Sequence, residues 1–510
     1  MDAVIAARAG SVSDAVRRAA VRHGDQPAMA FEERSWSYAG LDAAADRVAG
    51  LLAAAGIGKG DRVAAYGRNS DAYVLGWLGC LRAGAVHVPI NYALSGDELA
   101  YILNQSESRA LLFDAALGAN VAAVIADTAV DIRFPFIDAA GPDILGAATD
   151  HPPIARAPAV GSEDLAQIMY TSGTTSRPKG AMMSHGAMMC EYASCIHGLD
   201  FRDSDRSLCA LPLYHTAQLH VFLMPQILTG GFNRVLVAPE PAEVLRRMEE
   251  EGITSFFAPP TVWVSLLRHP DFDRRDLSRL RSLYYGASIM PEPVLQEIRR
   301  RLPQAGLYNV YGQTEIGPIA TILRPEEHEA RPTSAGRPAL FVETCVVDEA
   351  MNAVAPGVLG EIVHRSPQLL SGYWRKPDET AEAFRGGWFH SGDLGYRDED
   401  GYFYIVDRIK DVINTGGVLV ASREVEEALF AHPAVSEVAV IALPDPKWIE
   451  AITAVVVLRV AGDADEALLI EHCRARLAPY KLPKRVFFVA DLPRNASGKI
   501  LKRELRDRFA

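Results

Sequence analysis

Helical and extended patterns alternate along the first third of the chain, and this alternation limits the fold more than any other feature. Apolar residues over 41–55 recur three or four positions apart, which predicts a helix with one apolar face. An extended segment over 61–66 follows, then a helical pattern over 73–83 and an extended segment over 85–89. Strands that alternate with helices favour parallel sheets covered by helices. The sequence therefore predicts an α/β fold.

The rest of the chain continues this pattern and then changes it. A strand is predicted over 235–237, a helix over 241–251 and a strand over 255–257. From about Gly336 onwards, short strands and turns dominate. The last hundred residues form a compact unit with predicted strands over 438–443, 451–460 and 486–489 and a helix over 465–477.

Length and charge limit the possible functions. A chain of 510 residues is too long to fold around one ordinary hydrophobic core, so two or more domains are expected. The charged segment 407–411 is the candidate boundary between them. The net charge of −12 gives no reason to expect nucleic-acid binding or a basic membrane anchor, although local cations can still hold phosphates. No apolar run reaches the length of an integral membrane segment, and residues 1–20 lack the apolar core of a signal peptide.

The six cysteines are scattered along the chain. They form no Cys-x-x-Cys pair, and their spacing matches no zinc site. Scattered free thiols are typical of a reducing compartment, so we expect a cytoplasmic protein.

The strongest functional signal is the segment 170–180, Tyr-Thr-Ser-Gly-Thr-Thr-Ser-Arg-Pro-Lys-Gly. Its hydroxyls and exposed backbone N–H groups can surround polyphosphate oxygens, and its glycines let the backbone approach closely. It is not a Walker A loop, because Pro178 stands where that motif has glycine. A polar linker is the alternative, but linkers seldom follow directly on an apolar strand such as 166–169. We therefore predict a phosphate-binding loop.

A second segment, 308–315, is a strand-like run that ends in Gly-Gln-Thr-Glu. Thr314 could hold a phosphate oxygen, and Glu315 could hold Mg²⁺, which prefers oxygen ligands. The same pair is common at the start of a helix, so this signal is weak when taken alone.

Two more segments lie in the C-terminal part of the sequence. The segment 387–395 places Asp393 between glycines, where it could accept two ribose hydroxyls or cap its own turn. The segment 493–502 contains Lys499 after a glycine, a cation that could meet a developing phosphoryl charge or remain solvated.

Together, and in this order, the four segments closely resemble the adenylate-forming superfamily of acyl-CoA synthetases, peptide-synthetase adenylation domains and beetle luciferases. The resemblance covers essentially the whole chain, as far as Lys502. It implies an ATP-dependent acid–thiol ligase. A carboxylate attacks the α-phosphate of Mg·ATP to give acyl-AMP and pyrophosphate, and the thiol of coenzyme A then displaces AMP. The first step brings two anions together, so cations and donors should carry the catalysis.

The resemblance also implies roles for individual residues. The loop over the β- and γ-phosphates corresponds to Thr171, Ser172, Gly173, Thr174, Thr175 and Lys179. The nucleotide contacts correspond to Gly286, Ala287 and Ser288 against adenine, Tyr311 on its other face, Thr314 at the α-phosphate, Glu315 at Mg²⁺, Asp393 at the ribose, and Arg408 at the ribose or a phosphate.

The C-terminal part is implied to move. Lys499 corresponds to the lysine that bridges the acid carboxylate and the α-phosphate, and Lys410 to the pivot of the C-terminal domain. The implied fold has a large N-terminal domain of helix-covered sheets with a small barrel-like part, and a small mobile C-terminal α+β domain. The expected ranges are 1–407 for the first domain, 408–411 for the hinge and 412–510 for the second.

The sequence departs from the family pattern at two places. Ser176 stands where the phosphate loop usually has glycine, and we expect it to stiffen the loop and alter its closure. In the segment 416–426, Leu419 replaces an Asn, and Ala421 and Ser422 replace Tyr-Pro. This segment is implied to face the thiol tunnel, so its altered chemistry bears on the thiol acceptor.

The acid substrate is expected to lack an α-amine, because no carboxylate follows His215 where amino-acid-activating relatives bind the ammonium. His215 is implied to lie between the acid pocket and the thiol tunnel, and a structural histidine is the alternative. The pocket candidates are Thr261, Trp263, Gly286, Gly312, Ile316 and Pro318. Mostly apolar walls suit a fatty, aryl or terpenoid acid. Thr261 and Trp263 could equally be core residues.

Three alternatives remain open from the sequence. The first is an acyl-AMP ligase that passes the acyl group to the pantetheine thiol of a carrier protein. The second is an adenylate-binding protein without turnover, against which the retained Lys499, Glu315 and Asp393 argue. The third is luciferase-like oxidation, which nothing in the sequence favours. Members of the family range from monomers to dimers, so a homodimer is also left open.

Overall fold

A computed structural model describes residues 10–137, 143–154, 158–171, 177–288, 290–494 and 500–510. No helix in this described part is long and apolar enough to cross a membrane. The α-helices, in chain order, are α1 (Val12–His23), α2 (Tyr38–Ala54), α3 (Asp71–Arg82), α4 (Gly96–Gln105), α5 (Gly118–Val124), α6 (Ile144–Thr149), α7 (His185–Gly198), α8 (Met224–Thr229), α9 (Pro241–Glu250), α10 (Pro260–Arg268), α11 (Glu292–Arg301), α12 (Pro377–Ala383), α13 (Ser422–Phe430), α14 (Glu466–Arg474) and α15 (Lys502–Phe509).

The strands alternate with these helices. In chain order they are β1 (Pro27–Phe31), β2 (Arg34–Ser37), β3 (Arg62–Tyr66), β4 (Val86–Ile90), β5 (Ser108–Phe113), β6 (Ile132–Pro135), β7 (Leu165–Thr171), β8 (Lys179–Ser184), β9 (Arg206–Cys209), β10 (Phe232–Val235), β11 (Ser255–Phe257), β12 (Ser282–Gly286), β13 (Gly306–Gly312), β14 (Ile319–Leu323), β15 (Arg337–Pro338), β16 (Glu343–Val347), β17 (Gly360–Arg365), β18 (Phe389–Arg397), β19 (Phe403–Arg408), β20 (Ile413–Thr415), β21 (Val418–Val420), β22 (Val435–Asp445), β23 (Ile449–Leu458) and β24 (Arg485–Phe488).

Six strands form one sheet in the order β6-β5-β3-β4-β7-β8, parallel except at the β7–β8 edge. Val63 and Ala65 of β3 face a core built with α2 and α3, whereas Ala64 and Tyr66 face a core built with α4 and α5. Successive side chains of a strand point to opposite faces, so a strand covered on both faces is apolar throughout. The predicted parallel sheet between helical layers is confirmed.

Nine strands form a second sheet in the order β15-β14-β13-β12-β11-β9-β10-β1-β2. Its six central strands are parallel, and the edge strands β2, β14 and β15 are antiparallel. The strand predicted over 235–237 lies earlier, over Phe232–Val235. The reason is that β10 pairs in register with β9, which ends at Cys209 opposite Val235.

Two smaller sheets complete the chain. An antiparallel sheet in the order β16-β17-β18-β19 lies in the region after Gly336 where short strands and turns were predicted. The last sheet, β21-β20-β23-β22 with β24 beside β23, packs against α13 and α14. One strand of the first of these sheets ends at Arg408, and the last sheet begins at Ile413. A short 3₁₀ helix over Ile409–Asp411 connects them.

A buried arginine ties the first three helices together. Arg82 at the end of α3 has a side chain that is only 1% exposed, and it pairs with Asp42 at 2.6 Å and Asp46 at 2.9 Å on α2. Its Nε also donates to Ser13 Oγ of α1 at 3.0 Å. A buried cation needs such a full set of partners because burial removes its hydration.

We expect Arg82→Met to destabilise the protein by about 3 kcal/mol, since it leaves Asp42 without its cation and removes the buried one of the two cations that pair with Asp46. Arg17→Met is the matched control, because Arg17 pairs with the same Asp46 at 3.3 Å but its side chain is 45% exposed. Exposed pairs contribute at most about 1 kcal/mol. Urea or thermal unfolding of both variants measures the difference, and equal shifts would contradict the role given to Arg82.

Candidate active site

The two ends of the predicted phosphate loop are held by an antiparallel strand pair. Thr171 closes β7, Lys179 opens β8, and the two residues are direct partners across the β7–β8 ladder. The predicted loop residues Ser172, Gly173, Thr174 and Thr175, together with Ser176, lie outside the described residues. The ladder therefore pairs Thr171, which carries a hydroxyl at the start of the loop, with Lys179, which carries a cation at its end.

Glu315 connects this strand pair to the second motif. Thr171 Oγ1 donates to Glu315 Oε1 at 3.2 Å, and the Tyr373 hydroxyl donates to the same oxygen at 3.1 Å. The Lys179 ammonium lies 5.2 Å from the centre of the Tyr373 ring, within cation–π distance. Burial and the Glu315 carboxylate both raise the pKa of Tyr373 above its ordinary value, so its hydroxyl remains a donor.

The carboxylate of Glu315 has the chemistry of a Mg²⁺ ligand. Mg²⁺ that accompanies a nucleotide is usually held by one or two carboxylates together with phosphate oxygens and water. Within the described residues, no lysine or arginine lies within ion-pair distance of Glu315, so its partners there are two neutral hydroxyls. Its negative charge is therefore not neutralised by a protein cation in this part of the chain.

A second acidic centre forms around Asp393. Asp393 on β18 is only 3% exposed and stands opposite Arg408 on β19. Arg408 Nε lies 2.6 Å from Asp393 Oδ1, and the Tyr311 hydroxyl donates to Asp393 Oδ2 at 2.5 Å. Burial and the Asp393 charge raise the pKa of Tyr311 well above its ordinary value. Each carboxylate oxygen has a second lone pair, so the cluster can still accept hydroxyl groups of a ligand.

Two glycines let backbone segments meet beside this cluster. Gly286 ends β12 opposite Val310 of β13, and a Cβ at Gly286 would lie 2.3 Å from the Val310 carbonyl oxygen. At Gly312, where φ is +155°, a Cβ would lie 1.9 Å from the Pro318 carbonyl oxygen. Ala287 follows with φ of +62°, a conformation that costs energy in a residue with a side chain. Ala287 and Ser288 are exposed at this strand end.

Thr314 and His215 approach the same region from different segments. Thr314 begins a 3₁₀ helix over Thr314–Ile316, and its Oγ1 lies 3.5 Å from Thr216 Oγ1. His215 Nδ1 accepts a hydrogen bond from the Ala217 N–H at 3.3 Å, which orients the ring. The structure thus brings the residue after His215 next to the threonine of the second motif.

A small cavity, with a volume of about 10 Å³, lies beside His215. Its wall consists of Leu211, Pro212, His215, Ala217, Gln218, Phe257, Pro259 and Ala287. Of the predicted pocket residues, none of Thr261, Trp263, Gly286, Gly312, Ile316 and Pro318 is part of this wall in the described structure.

Trp263 and Ile316 are core residues. The Trp263 side chain packs edge-on against Phe256, and its Nε1 donates to the Tyr284 carbonyl at 3.4 Å. Ile316 is fully buried in the apolar cluster that also contains Leu211 and Phe257 of the cavity wall. Both were predicted as pocket residues, with the core as the alternative for Trp263, and neither is part of the cavity wall in the described structure.

A buried polar network supports the turn that carries Thr314 and Glu315. Gln368 Nε2 donates to the carbonyl oxygens of Ile316 at 3.2 Å and Ile319 at 3.0 Å, on either side of the turn. Glu191 Oε2 also lies 3.3 Å from this nitrogen, and Ser194 Oγ donates to Gln368 Oε1 at 2.5 Å. Burial raises the pKa of Glu191 well above its ordinary value. The network replaces the water that backbone carbonyls would otherwise require.

The C-terminal site residues are only partly described. Lys499 lies outside the described residues. Lys410 is in the connecting 3₁₀ helix and is exposed. Ser422, which replaces the usual proline, donates its backbone N–H at 2.6 Å and its hydroxyl at 2.8 Å to Asp407 Oδ2. Leu419 is 69% exposed on β21, where it pairs with Asn414 of β20.

Sequence reasoning missed four of these residues: Tyr373, Glu191, Gln368 and Gln218. Only Tyr373 carried a local signal, a Gly-Tyr-Trp run that follows a strand. The other three are ordinary polar residues within helices or loops, and nothing in their spacing shows that they become buried.

Comparison with known protein families finds two domains in this chain. The AMP-binding enzyme family matches residues 16–374, and the AMP-binding enzyme C-terminal domain matches residues 424–499. A feruloyl-CoA synthase of Amycolatopsis is 40% identical over 492 residues, which is 96% of each chain.

Two solved structures support the same assignment. ATP-bound MatB from Rhodopseudomonas palustris superposes with a TM-score of 0.91 at 32% identity, over 98% of this chain and 99% of that one. The anthranilate CoA ligase AuaEII in complex with anthranoyl-AMP superposes with a TM-score of 0.92 at 26% identity, over 98% and 97%. The chain therefore belongs to the AMP-binding enzyme family and is an AMP-forming acid–thiol ligase.

Proposed function

We propose that this ligase is an acyl-CoA synthetase. It activates a carboxylic acid without an α-amine, using ATP and Mg²⁺, and then forms the coenzyme A thioester. The observation that carries the proposal is the meeting of Thr171 and Tyr373 on the Glu315 carboxylate, with Lys179 at the Tyr373 ring. The similarity to a feruloyl-CoA synthase supports coenzyme A as the thiol.

In the adenylating step, the protein must reduce the repulsion between a carboxylate and a polyphosphate. We assign Lys179 and the hydroxyl-rich loop after Thr171 to the β- and γ-phosphates, and Thr314 to the α-phosphate. A Mg²⁺ ion at Glu315 would supply further positive charge to the phosphates. Charges and donors that are already in position cost little reorganisation when the transition state forms.

The nucleoside would lie on the other side of the turn. Asp393 accepts the ribose hydroxyls in this proposal, and Arg408 orients that carboxylate through their cross-strand pair at 2.6 Å. The Tyr311 ring provides one face for the adenine, and the exposed Ala287 and Ser288 provide the other.

The second step requires the C-terminal domain to turn. The division into 1–407, 408–411 and 412–510 is supported by the 3₁₀ helix Ile409–Asp411, which is the connection between two separate sheets. The contacts of Ser422 with Asp407 cross this connection and stabilise the present orientation. Lys410 is the proposed pivot, and Lys499 the lysine that serves only the adenylating step.

The substrate is most simply an aryl acid. Among the described residues of the cavity wall, none is a carboxylate that could bind an ammonium, and most are apolar. Both the feruloyl-CoA synthase and the anthranilate CoA ligase are named for aromatic acids. A carrier-protein thiol stays the alternative acceptor. The six free cysteines fit our proposal of a cytoplasmic location.

We expect ferulate, ATP, Mg²⁺ and coenzyme A to yield an acyl-CoA thioester, AMP and pyrophosphate. A panel of cinnamate-type, benzoate-type and fatty acids, analysed by mass spectrometry, measures this directly. Omitting coenzyme A is the control and should leave only acyl-AMP. Accumulation of acyl-AMP despite added coenzyme A would contradict the proposed acceptor, and no ATP consumption with any acid would contradict the function.

Lys499→Ala should slow acyl-AMP formation about a hundredfold or more, while preformed acyl-AMP still yields thioester. The reason is that the proposed cation acts on charge that develops only in the first step. Lys447→Ala is a matched control, because Lys447 lies over the Trp448 ring at 4.9 Å in the same domain. Single-turnover assays of the two steps separate them, and equal loss in both would disprove the assignment.

Tyr373→Phe should weaken MgATP use about tenfold, because it removes a hydrogen bond to the charged Glu315 while it keeps the ring beside Lys179. Tyr373→Leu removes both contacts and should cost more. The kcat/KM for MgATP measures the effect at saturating acid. Unchanged values in both variants would show that Tyr373 does not act on this site.

A further inference from the structure

The buried Ser422 forms hydrogen bonds on two sides. Its backbone N–H and its hydroxyl both donate to Asp407 Oδ2, at 2.6 Å and 2.8 Å. The same hydroxyl oxygen lies 2.7 Å from the Lys502 ammonium. An ammonium can only donate and a carboxylate can only accept, so the hydroxyl proton points to Asp407 and a lone pair faces Lys502. Ser422 therefore joins an anion to a cation.

The contacts with Asp407 cross the proposed hinge. Asp407 belongs to β19, before the connecting 3₁₀ helix Ile409–Asp411, whereas Ser422 begins α13 after it. A hydrogen bond of this length is lost once its atoms separate by about 1 Å more. A turn of the C-terminal domain about Lys410 moves Ser422 relative to Asp407, so it has to break both bonds.

Asp407 also lies next to the proposed nucleoside site. The backbone N–H of its neighbour Arg408 donates to Asp407 Oδ1 at 2.8 Å. Arg408 in turn pairs with Asp393 at 2.6 Å, and Asp393 is the group proposed to accept the ribose hydroxyls. The bonds from Ser422 thus hold the start of α13 in a fixed position beside that site.

The segment 495–499, which contains the proposed catalytic lysine, is closed at its base. Arg494 and Ile500, which flank it, form an antiparallel bridge. The Leu501 N–H also donates to the Pro493 carbonyl at 2.8 Å. The two ends of the segment therefore lie side by side on the C-terminal domain.

Lys502 connects this base to Ser422. It begins α15 shortly after the bridge, and its ammonium lies 2.7 Å from the Ser422 hydroxyl and 2.7 Å from Glu426 Oε1. Its side chain is only 17% exposed. One helical turn later, Arg506 pairs with Asp411 of the connecting 3₁₀ helix at 2.5 Å. A largely buried cation depends on such partners, because burial removes its hydration.

A proline at position 422 could make none of the three hydrogen bonds of Ser422. The family pattern has proline there, which lacks both an N–H and a hydroxyl. Ser422 occupies the first position of α13, where proline is well tolerated. The helix itself therefore does not require serine, and the hydrogen bonds to Asp407 and Lys502 need another explanation.

The arrangement of the chain is closer to one form of MatB than to another. The apo structure of MatB superposes with a TM-score of 0.80, against 0.91 for the ATP-bound structure, both at 32% identity. Each superposition covers 98% of this chain and 99% of MatB, so the two scores differ through the arrangement of the parts. The present arrangement, which includes the contacts of Ser422, is the one nearer to the ATP-bound form.

We propose that Ser422 is a positioning residue, which ties Lys502 to Asp407 and so holds the C-terminal domain in the arrangement for acyl-AMP formation. The inference rests on the proposed acyl-CoA synthetase function and adds a residue that sets the balance between its two steps. Because the bonds to Asp407 have to break before the domain turns, they favour the adenylating step and slow the thioester-forming step.

The test compares Ser422→Pro and Ser422→Ala with the natural protein in single-turnover assays, using the acid that the natural protein converts best. One assay follows acyl-AMP formation from ATP, and the other follows thioester formation from preformed acyl-AMP and coenzyme A. In Ser422→Pro we expect the first rate constant to fall and the second to rise. Their ratio should change by about tenfold or more, since three hydrogen bonds to charged groups are lost. Ser422→Ala keeps the N–H and should change the ratio less.

Ser436→Ala is the matched control. Ser436 Oγ accepts a hydrogen bond from Arg268 at 3.4 Å, a long and exposed contact between the same two domains. Its ratio of rate constants should remain that of the natural protein. Circular dichroism and thermal unfolding check that all three variants are folded.

Equal falls in both rate constants would show a merely structural role for Ser422 and overturn the proposal. Unchanged rate constants in both Ser422 variants, or the same change of ratio in Ser436→Ala, would overturn it as well. If Ser422→Pro failed to fold, Ser422→Ala would decide by the same criteria. These outcomes differ from failure of the proposed function, in which the natural protein forms no acyl-AMP from any acid.

Discussion

The carboxylate of Glu315 is the point on which the arrangement of the site depends. It receives hydrogen bonds from Thr171, at the end of one sheet, and from Tyr373, far along the chain, while its own backbone belongs to the turn between β13 and β14 of the nine-stranded sheet. One half-buried carboxylate with hydroxyl partners thus connects two sheets. In the proposed function, the same carboxylate would hold the Mg²⁺ ion that accompanies the polyphosphate.

The turn that carries Glu315 is held in place because buried side chains hydrogen-bond to its backbone carbonyl groups. Gln368 donates to two of its carbonyls, and Glu191 and Ser194 complete the network without solvent. Buried polar networks are favourable only when every member has a partner, and here Gln368 has acceptors for both of its N–H groups and a donor for its oxygen. The close contact at Gly312, where no side chain can be accommodated, has the same effect on the strand that precedes the turn.

Charged groups and apolar groups occupy different parts of the candidate site. The groups proposed to act on ATP include the cross-strand ion pair of Asp393 and Arg408. The small cavity beside His215 is lined mostly by apolar side chains. In the segment predicted to face the thiol tunnel, Leu419 is exposed and Ser422 donates to Asp407.

The sequence by itself determined the alternation of helices and parallel strands, the family and the chemistry of its motifs. These properties are local, because periodicity, glycine positions and runs of hydroxyls act through neighbouring residues. The tertiary structure decided which side chains meet. The hydrogen bond of Tyr373 to Glu315, that of Trp263 to the Tyr284 carbonyl and that of Gln368 to the Ile316 carbonyl all join residues that are distant in sequence. Such contacts depend on how the sheets and helices pack, and a hydrogen-bonding group acquires a role only from what that packing places opposite it.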